Sequence, residues 1–246
     1  MLKNRVILIT GSSKPNGIGF ATAKLAKEYG AKVILHGRTD DERLRKNVKE
    51  LGAEYITCDV TDKNAVAAAV NQIFPRVGKI DALVNCVGIV KNESFLETSD
   101  EDWIDIFKVN VLGTVHFCQA AIPHMQKLKY GRIVNISSIR GHESTASPTR
   151  PAYSASKGAI ISLTSSLAKA YAPDILVNAV SPGFTMTDMS KEWTETGWIQ
   201  AKSNLLGRPA EPKEIAEAIL FLAGDRNTHI TGQTILVDGG YSISGK

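Results

Sequence analysis

The feature that most constrains the fold of this 246-residue chain is an alternation of short β-branched runs with longer alanine-rich stretches. The runs predict seven strands: Arg5–Thr10, Lys32–His36, Ala53–Thr57, Ala82–Asn85, Gly131–Ser137, Ile175–Val180 and Gln233–Val237. Helical periodicity predicts helices over residues 17–29, 40–51, 62–77, 100–128, 152–171 and 211–222. Strands joined by helices of this length are parallel, and right-handed crossovers place helices on both faces. The sequence therefore predicts an α/β, doubly wound, mostly parallel seven-stranded sheet.

Two local signals support this prediction. The runs VILIT and LVN, in the first and fourth predicted strands, are nearly all apolar, which is typical of strands covered on both faces. Thr61-Asp62, Ser99-Asp100 and Glu211-Pro212 stand where three helices begin, and these residue types favour helix N-termini. The length of the chain indicates one domain.

Composition excludes several functional classes. The formal net charge of +4 is dispersed and predicts no nucleic-acid partner. No run approaches the ~18 apolar residues of a membrane span, and we predict neither a membrane partner nor a signal peptide. Cys58, Cys86 and Cys118 are too widely spaced for a disulfide framework or a CxxC metal site, and they indicate a reducing cytoplasm. The five histidines form no HExxH pattern, so we predict no metal.

Residues 185–207 lack clear periodicity and are rich in polar side chains, with Trp193 and Trp198 among them. Two interpretations stand side by side. The segment is either a mobile lid over a ligand or a surface loop with a short helix.

A glycine-bearing turn joins the first strand to the first helix. Gly11 permits a tight turn, while Gly17 and Gly19 let the backbone approach a pyrophosphate at the N-terminus of the helix. A turn that merely needs positive φ angles explains the same glycines. We interpret the turn as a dinucleotide site.

This turn resembles the TGxxxGxG sequence of the short-chain dehydrogenase/reductase family at Thr10, Gly11, Gly17 and Gly19, with five residues instead of three between the first two glycines. Longer loops of this kind look like those of enoyl-thioester reductases, whose Tyr-x6-Lys spacing is absent because residue 150 is arginine. The resemblance implies a single Rossmann domain over residues 1–246. It also implies cofactor contacts from Gly11, Ser13, Lys14, Gly17, Ile18 and Gly19.

The same resemblance assigns further cofactor contacts to the loops after the third, fourth and sixth strands. Asp59 matches the residue that hydrogen-bonds the adenine ring, and the family's Asn-Asn-Ala-Gly sequence stands here as Asn-Cys-Val-Gly. The segment after the sixth strand matches the one that meets the nicotinamide carboxamide. The residues implied are Asp59, Val60, Asn85, Gly88, Pro182, Gly183 and Thr185.

The end of the second predicted strand bears on the choice of nicotinamide cofactor. An NAD site usually has an acid there for the ribose diol, whereas this chain has Gly37 followed by Arg38. The guanidinium of Arg38 suits a 2′-phosphate, and Lys14 adds a second positive charge. We predict NADP(H) in preference to NAD(H). Asp40 and Asp41 as ribose contacts, or cations that are merely solvated, are the alternatives.

The sharpest chemical signal is Tyr153-Ser-Ala-Ser-Lys157, since residues four apart share one face of a helix. A free phenol has a pKa of ~10, and a nearby ammonium together with an oxidised nicotinamide is expected to lower it. Tyr153 then exchanges a proton with a carbonyl oxygen as hydride is transferred. A pair on a helix surface is the alternative. The resemblance supports the catalytic interpretation and implies that Tyr153 and Lys157 also contact the cofactor.

Ser138 follows the fifth strand, at the edge where ligands bind in α/β sheets, and its hydroxyl is suited to polarise the same carbonyl oxygen. Neighbours on a strand point to opposite sides, so Ser137 competes for this role. The family pattern, with the catalytic serine second in the pair, favours Ser138. The resemblance also implies that Asn110 supports a water relay to Lys157; the alternative is a polar residue that bonds a break in the helix backbone.

These residues predict an oxidoreductase that transfers hydride between NADP(H) and a carbonyl/alcohol substrate. Much of the family reduces 3-oxoacyl thioesters of acyl carrier protein or coenzyme A, and Lys127, Lys129 and Arg132 would suit an acidic carrier. A sugar, polyol or other secondary alcohol is the second candidate, and a non-catalytic NADP(H)-binding sensor is the candidate of another class. By family analogy, helices 100–128 and 152–171 pair between subunits of a homotetramer.

Overall fold

Seven parallel strands form the centre of the computed structural model, which describes residues 2–244. The strands are β1 (Val6–Ile9), β2 (Lys32–Gly37), β3 (Glu54–Thr57), β4 (Ala82–Asn85), β5 (Gly131–Ile136), β6 (Ile175–Pro182) and β7 (Thr234–Val237). Their order across the sheet is β3-β2-β1-β4-β5-β6-β7. The predicted doubly wound α/β fold is confirmed, and every pair among these strands is parallel.

Within residues 2–244, eight α-helices connect and cover the strands. They are α1 (Ile18–Glu28), α2 (Glu42–Leu51), α3 (Lys63–Val77), α4 (Asp100–Phe107), α5 (Gly113–Leu128), α6 (Pro151–Tyr171), α7 (Glu195–Lys202) and α8 (Pro212–Ala223). A π-helical segment, Lys108–Leu112, joins α4 to α5, so the helix predicted over residues 100–128 has a local change of geometry near its middle. The α7 helix is the short helix that one interpretation of residues 185–207 expected.

Helices cover the sheet on both faces, as the apolar strands predict. Ile7 and Ile9 of β1 belong to one buried cluster, with side chains of α1, α2 and α8. Val6 and Leu8 of the same strand belong to a second cluster, with side chains of α3, α5 and α6. Because successive strand residues point to opposite faces, one apolar strand contributes to two cores.

Three helices begin where the sequence predicts a cap. Asp62 accepts two backbone N–H bonds at the start of α3, and Ser99 accepts one at the start of α4. Glu211 and Glu214 form a reciprocal capping box at the start of α8. Each cap satisfies N–H groups that have no partner inside the helix, and this fixes the residue at which the helix begins.

The order of the strands opens a crevice at one edge of the sheet. β1 and β4 are neighbours, and the connections on either side of them run in opposite directions across the sheet. At such a switch point the loops leaving the carboxyl ends of the two strands separate, and ligands bind between them. The glycine-bearing turn follows β1, and the loop beginning at Cys86 follows β4. The fold therefore brings the predicted site loops to a single edge.

Two further features of residues 2–244 bear on the predictions from composition. None of the helices in this range has both the length and the apolar character that crossing a membrane requires. No three cysteine, histidine or acidic side chains in the same range gather as a metal-binding group. Cys58, Cys86 and Cys118 are all free thiols.

Candidate active site

The turn after β1 requires glycine at two positions. Gly11 has φ +62°, and a Cβ there would lie 3.1 Å from the backbone of Cys86 and Val87 in the loop after β4. A Cβ on Gly19 would lie 2.6 Å from the carbonyl oxygen of Gly11. Side chains at either position would push apart the turn, α1 and the β4 loop. Glycine thus keeps the backbone close to the crevice.

The two additional residues of the turn extend it toward the segment 185–207. The turn closes through a hydrogen bond from the Gly17 N–H to the Lys14 carbonyl, at 3.0 Å. Asn16 lies inside this closed loop and donates from Nδ2 to Asp188 Oδ1 at 3.1 Å. The longer turn therefore contacts the segment on the other side of the crevice.

His36, near the end of β2, holds the base of the turn and was not predicted as a site residue. Its Nδ1 accepts the Gly11 N–H at 3.2 Å, and its Nε2 lies 3.1 Å from the Cys58 carbonyl oxygen, so Nε2 carries the proton. Burial lowers the pKa of His36 to about 4. A histidine in an otherwise apolar strand was the sequence signal for this role.

This buried histidine predicts that acid weakens the fold. The unfolded histidine has a pKa near 6.5, above the folded value of about 4. Between these values the unfolded state binds the additional proton, so the free energy of unfolding is fully retained above pH ~6.5 and falls as the pH drops toward 4, by about 3 kcal/mol in all. Urea unfolding from pH 7.5 to 4.5 should show a shallower pH dependence in His36→Asn than in the wild type.

The matched control for this experiment is His229→Asn, which removes an exposed imidazole. It should retain the wild-type pH dependence. An unchanged pH dependence in His36→Asn would contradict the assignment of a neutral, buried imidazole at the base of the turn.

The crevice is a single cleft with two lobes, which share Ile18, Cys86, Gly88, Ile136, Thr187 and Met189. The glycine-turn lobe is lined by the predicted residues Gly11, Ser13, Lys14, Gly17, Ile18, Gly19, Arg38, Asp59, Val60 and Gly88. The tyrosine lobe is lined by the predicted residues Ser138, Tyr153, Lys157, Pro182, Gly183 and Thr185. The structure thus brings every predicted site residue into one cleft except Asn85 and Asn110.

Asn85 faces away from the cleft, and its prediction as a cofactor contact is corrected here. It is the last residue of β4 and stands in register with Asn135 of β5. Its Nδ2 donates to Asn135 Oδ1 at 2.9 Å, and Asn135 in turn donates to Thr164 Oγ1 on α6 at 3.0 Å. The alternation of side chains along β4 directs Asn85 to the face covered by α5 and α6, where it links two strands.

Asn110 lies in the π-helical segment, fully buried, and lines neither lobe. Its Oδ1 accepts the Ile89 N–H at 2.8 Å, and its Nδ2 donates to the Ile89 carbonyl and to Ser156 Oγ, both at 3.0 Å. A Cβ built on Gly88 would lie 3.4 Å from Asn110 Oδ1 and 3.3 Å from Lys157 Nζ. Asn110 therefore holds the β4 loop beside Lys157; its side chain bonds this loop rather than a break in its own helix.

Three of the four predicted catalytic side chains, all except Asn110, converge in the tyrosine lobe. The Ser138 hydroxyl lies close enough to the Tyr153 phenol to oppose the rise in its pKa. Lys157 Nζ lies 5.7 Å from the centroid of the Tyr153 ring and donates to the Ile136 carbonyl at 2.8 Å. The Ser137 hydroxyl instead donates to the Lys157 carbonyl at 2.8 Å. The structure thus places Ser138, not Ser137, against the phenol.

The electrostatics of the phenol differ from the sequence expectation. Burial raises the pKa of Tyr153, and the opposing influences are the nearby Ser138 hydroxyl and the positive charges of Arg150 and Arg140. Burial also lowers the pKa of Lys157 to about 8. The effect of Lys157, whose Nζ lies 5.7 Å from the centroid of the Tyr153 ring, stays a prediction. Two arginines supply the favourable charge.

These arginines are the main functional residues that sequence reasoning missed. Arg140 comes two residues after Ser138 and Arg150 three residues before Tyr153, and both line the tyrosine lobe. Phe184 and Trp193 line the same lobe, with their rings 5.3 Å apart in an edge-to-face arrangement. The signal in the sequence was the position of both arginines beside catalytic residues.

Positive charge also lines the glycine-turn lobe, at Lys14, Arg38 and Arg43. The Arg38 side chain is 81% exposed, and its Nε lies 3.4 Å from Asp59 Oδ2. Arg43 was not predicted; its Nη2 lies 2.7 Å from Asp41. Three cations, one in the turn, one after β2 and one in the first turn of α2, make this lobe attractive to phosphate.

The acidic side chains near β2 have structural partners. Asp59 Oδ1 accepts from the backbone N–H and the hydroxyl of Thr61, at 2.9 and 2.8 Å. Asp41 caps α2 by accepting the Leu44 N–H, and Asp40 pairs with Arg45. Neither Asp40 nor Asp41 lines the lobe, so the alternative in which they contact the ribose is not supported.

The basic residues expected to face an acidic carrier lie at the opposite edge of the sheet from the site. Arg132 is buried, donates to the carbonyl oxygens of Gly131 and Asn227, and stacks on Tyr130 at 4.5 Å. Arg132 lies at the amino end of β5, whereas Ser138 follows its carboxyl end. Lys127 and Lys129 precede that amino end. Arg132 is therefore not exposed to a carrier, whereas the contact through Lys127 and Lys129, which six strand residues, ~20 Å, separate from the site, stays a prediction.

The comparison with known proteins decides the family. A family profile described as enoyl-(acyl carrier protein) reductase matches residues 11–242. The chain is 38% identical to the 3-oxoacyl-[acyl-carrier-protein] reductase FabG of Thermotoga maritima over 249 residues, which cover 98% of this chain and 99% of that protein. The chain belongs to the short-chain dehydrogenase/reductase family. It is an oxidoreductase of that family, as its sequence motifs predict.

Two further relatives of this short-chain dehydrogenase/reductase show the range of its similarities. Carbonyl reductase family member 4 of Xenopus laevis is 37% identical over 242 residues, covering 98% of this chain and 99% of that protein. The crystal structure of a putative gluconate dehydrogenase from Agrobacterium tumefaciens superposes with a TM-score of 0.92 at 30% identity, covering 98% of this chain and 97% of that one. The family thus spans relatives with different named substrates.

Proposed function

We propose that the chain transfers hydride between NADP(H) and a carbonyl/alcohol substrate. The observation that carries this proposal is the meeting of Ser138, Tyr153 and Lys157 in a cleft that continues into the glycine-bearing turn. In the glycine-turn lobe the backbone can come close to a dinucleotide phosphate, and positive side chains line the lobe. The tyrosine lobe has two hydroxyl groups that are suited to bind a carbonyl oxygen.

The residues of the cleft fit a nicotinamide dinucleotide. Gly11 and Gly19 leave no room for side chains between the turn and α1, which keeps the backbone N–H groups of the helix N-terminus accessible to phosphate. We assign the remaining cofactor contacts to Ser13, Lys14, Gly17, Ile18, Arg38, Asp59, Val60, Gly88, Pro182, Gly183 and Thr185. When bound, the cofactor supplies or accepts the hydride.

The side chains of the tyrosine lobe carry out the proton transfer that accompanies hydride transfer. Ser138 polarises the carbonyl oxygen through its hydroxyl, and Tyr153 donates the proton as the carbonyl is reduced or accepts it in reverse. Lys157 contacts the ribose and adds positive charge beside the phenol. Asn110 acts as a positioning residue through the β4 loop.

Preference for NADP(H) over NAD(H) rests on charge at the end of β2. Lys14, Arg38 and Arg43 line the lobe where a 2′-phosphate would bind, and β2 ends in Gly37 rather than in an acidic residue. A Cβ on Gly37 would already lie 3.0 Å from Leu44 Cδ2. An acidic side chain at this position, as NAD sites usually have, is therefore crowded out.

The substrate candidates differ in the observation that favours each. The similarity to FabG favours a 3-oxoacyl thioester of acyl carrier protein or coenzyme A. The second candidate is a sugar, polyol or other secondary alcohol. The charged lining of the tyrosine lobe and the similarity to a putative gluconate dehydrogenase favour it.

Three broader features belong to the same proposal. We assign a lid function to residues 185–207, because Thr187 and Met189 line both lobes and Asp188 bonds the glycine turn. We propose a homotetramer paired through α4, α5 and α6, because Ile104 and Leu112 expose apolar side chains on this surface. We propose a reducing cytoplasm, with which the free thiols agree.

A carbonyl screen tests the proposed reaction. Purified protein is mixed with NADPH or NADH and a panel of ketones, acetoacetyl-coenzyme A included, and the reduced nicotinamide is followed by absorbance. We expect turnover with NADPH to exceed that with NADH. Binding of NADPH without turnover of any carbonyl would overturn the enzymatic proposal in favour of a non-catalytic NADP(H)-binding sensor.

A further inference from the structure

Two guanidinium groups in the tyrosine lobe have no acidic partner. Arg150 donates from Nε to Asn92 Oδ1, and Arg140 donates to the Thr145 carbonyl at 3.0 Å and to Gln200 Oε1 at 3.4 Å. Neither arginine forms an ion pair within the described range, 2–244. Six other arginines do pair with carboxylates: Arg5, Arg38, Arg43, Arg45, Arg76 and Arg208.

Because of where these two arginines lie, the lack of a carboxylate partner destabilises their positive charges. Both are partly buried, and burial, together with the nearby charge of Arg140, lowers the pKa of Arg150. Partly buried positive charges are stabilised when an anion compensates them. An anionic ligand in this lobe can therefore supply the negative charge that the chain does not place beside these arginines.

The two groups are also held ready for such a ligand. The Arg140 guanidinium carbon lies 5.4 Å from the centroid of the Phe184 ring and 5.7 Å from that of Tyr241. Arg150 precedes the first residue of α6, and its Nε bond to Asn92 fixes one side of its fork. The planar fork of a guanidinium matches the oxygens of a carboxylate or phosphate.

We propose that the tyrosine lobe binds a substrate whose reacting carbonyl or alcohol carbon is linked to a nearby anionic group, a carboxylate or a phosphate, held by Arg140 and Arg150. This inference rests on the proposed function for the reaction. It favours a small oxo acid or phosphorylated ketone over an acyl thioester, which carries no charge near its ketone. Hydride adds to the carbonyl carbon, the Tyr153 proton goes to its oxygen, and a hydroxy acid or hydroxy phosphate is formed with NADP⁺.

The bound anion also adds to the effect of burial, which already raises the pKa of Tyr153. The positive charges of Arg150 and Arg140 oppose the rise in the Tyr153 pKa that burial causes. A carboxylate or phosphate between them offsets that charge. The anion therefore favours the protonated phenol that donates to the carbonyl oxygen.

Matched pairs of ketones test the proposal. We would measure kcat/KM with NADPH for pyruvate and pyruvamide, acetoacetate and acetoacetamide, and dihydroxyacetone phosphate and dihydroxyacetone. Where a pair is reduced, the anionic member should be preferred by roughly 10- to 100-fold, the worth of a charge-assisted hydrogen bond. The carboxylate and phosphate pairs distinguish the two sources of charge. Equal or better use of the neutral member in every pair that is reduced would overturn the proposal.

The variants Arg140→Gln and Arg150→Gln, singly and together, identify the residues responsible. Each should lower kcat/KM for the anionic member much more than for the neutral member, whose smaller loss reflects the charge that these arginines also place near Tyr153. Arg76→Gln, which removes the same charge from the surface of α3, should behave as the wild type. Equal losses on both members of a pair in Arg150→Gln would contradict the assignment.

A binding measurement separates this inference from the proposed reaction. Malonate and inorganic phosphate are titrated calorimetrically into NADPH-saturated protein at constant ionic strength. Binding of either probe that is lost in Arg140→Gln and Arg150→Gln supports the anion site even if no ketone is reduced, in which case the proposed reaction alone fails. Turnover of ketones without binding of either probe overturns the anion site and leaves the reaction standing.

Discussion

Tyr153→Phe is expected to lower kcat by roughly 10²- to 10⁴-fold, the usual worth of general acid–base assistance. The substitution removes the phenol oxygen beside Ser138, and it leaves the ring that lines the tyrosine lobe. Because Ser138 and Lys157 are retained, binding of the cofactor should change little. The measurement is steady-state oxidation of NADPH with the best ketone of the screen.

Tyr171→Phe provides the matched control for this substitution. Tyr171 is the last residue of the same helix, α6, and does not line the cleft. It should retain wild-type kcat. A Tyr153→Phe protein that unfolds at the wild-type urea concentration and still turns over at the wild-type rate would remove Tyr153 from the proton step.

Arg38→Asp is expected to shift the ratio of kcat/KM for NADPH to that for NADH by roughly 100-fold toward NADH. The substitution removes a charge-assisted bond to the 2′-phosphate and places a carboxylate where it repels phosphate, so both effects act in the same direction. Position 38 is the site of choice because its side chain is 81% exposed and free to reach the ribose, whereas position 37 is crowded by Leu44.

Arg45→Asp reverses the same charge on the exposed surface of α2, where Arg45 pairs with Asp40 outside the cleft. It should leave the cofactor ratio unchanged. If Arg38→Asp retained the wild-type ratio, the 2′-phosphate would have to be bound elsewhere in the lobe, and the role given to Arg38 would be wrong.

The sheet was predictable because the residues within each strand are sufficient to identify that strand. Buried parallel strands such as β1 and β4 need apolar side chains on both faces, so they appear in the sequence as nearly uninterrupted apolar runs. The start of α3 was equally local, because Asp62 caps it. The π-helical segment Lys108–Leu112 was not predictable, because neither glycine nor proline lies within it and its geometry is stabilised by Asn110 bonds to a distant loop.

The site was predictable where its catalytic residues lie only a few positions apart in the sequence. Tyr153 and Lys157 share one helix, so their neighbourhood follows from helical geometry. Asn85 and Arg132 were misplaced because the face to which a strand residue points depends on strand register and on partners far along the chain, Asn135 and Asn227. Arg140 and Arg150 stand outside the regular periodicity, and only folding brings them to one lobe.

The central claim is that a nicotinamide ring binds against Tyr153 with room for a carbonyl group between them. A crystal structure with bound NADP⁺ tests it most directly. We predict that the ring lies in the tyrosine lobe with its reactive carbon facing the phenol oxygen, across a gap that places a carbonyl oxygen within ~3 Å of that oxygen. A ring bound outside this lobe, or a phenol covered by protein atoms in the complex, would contradict the account.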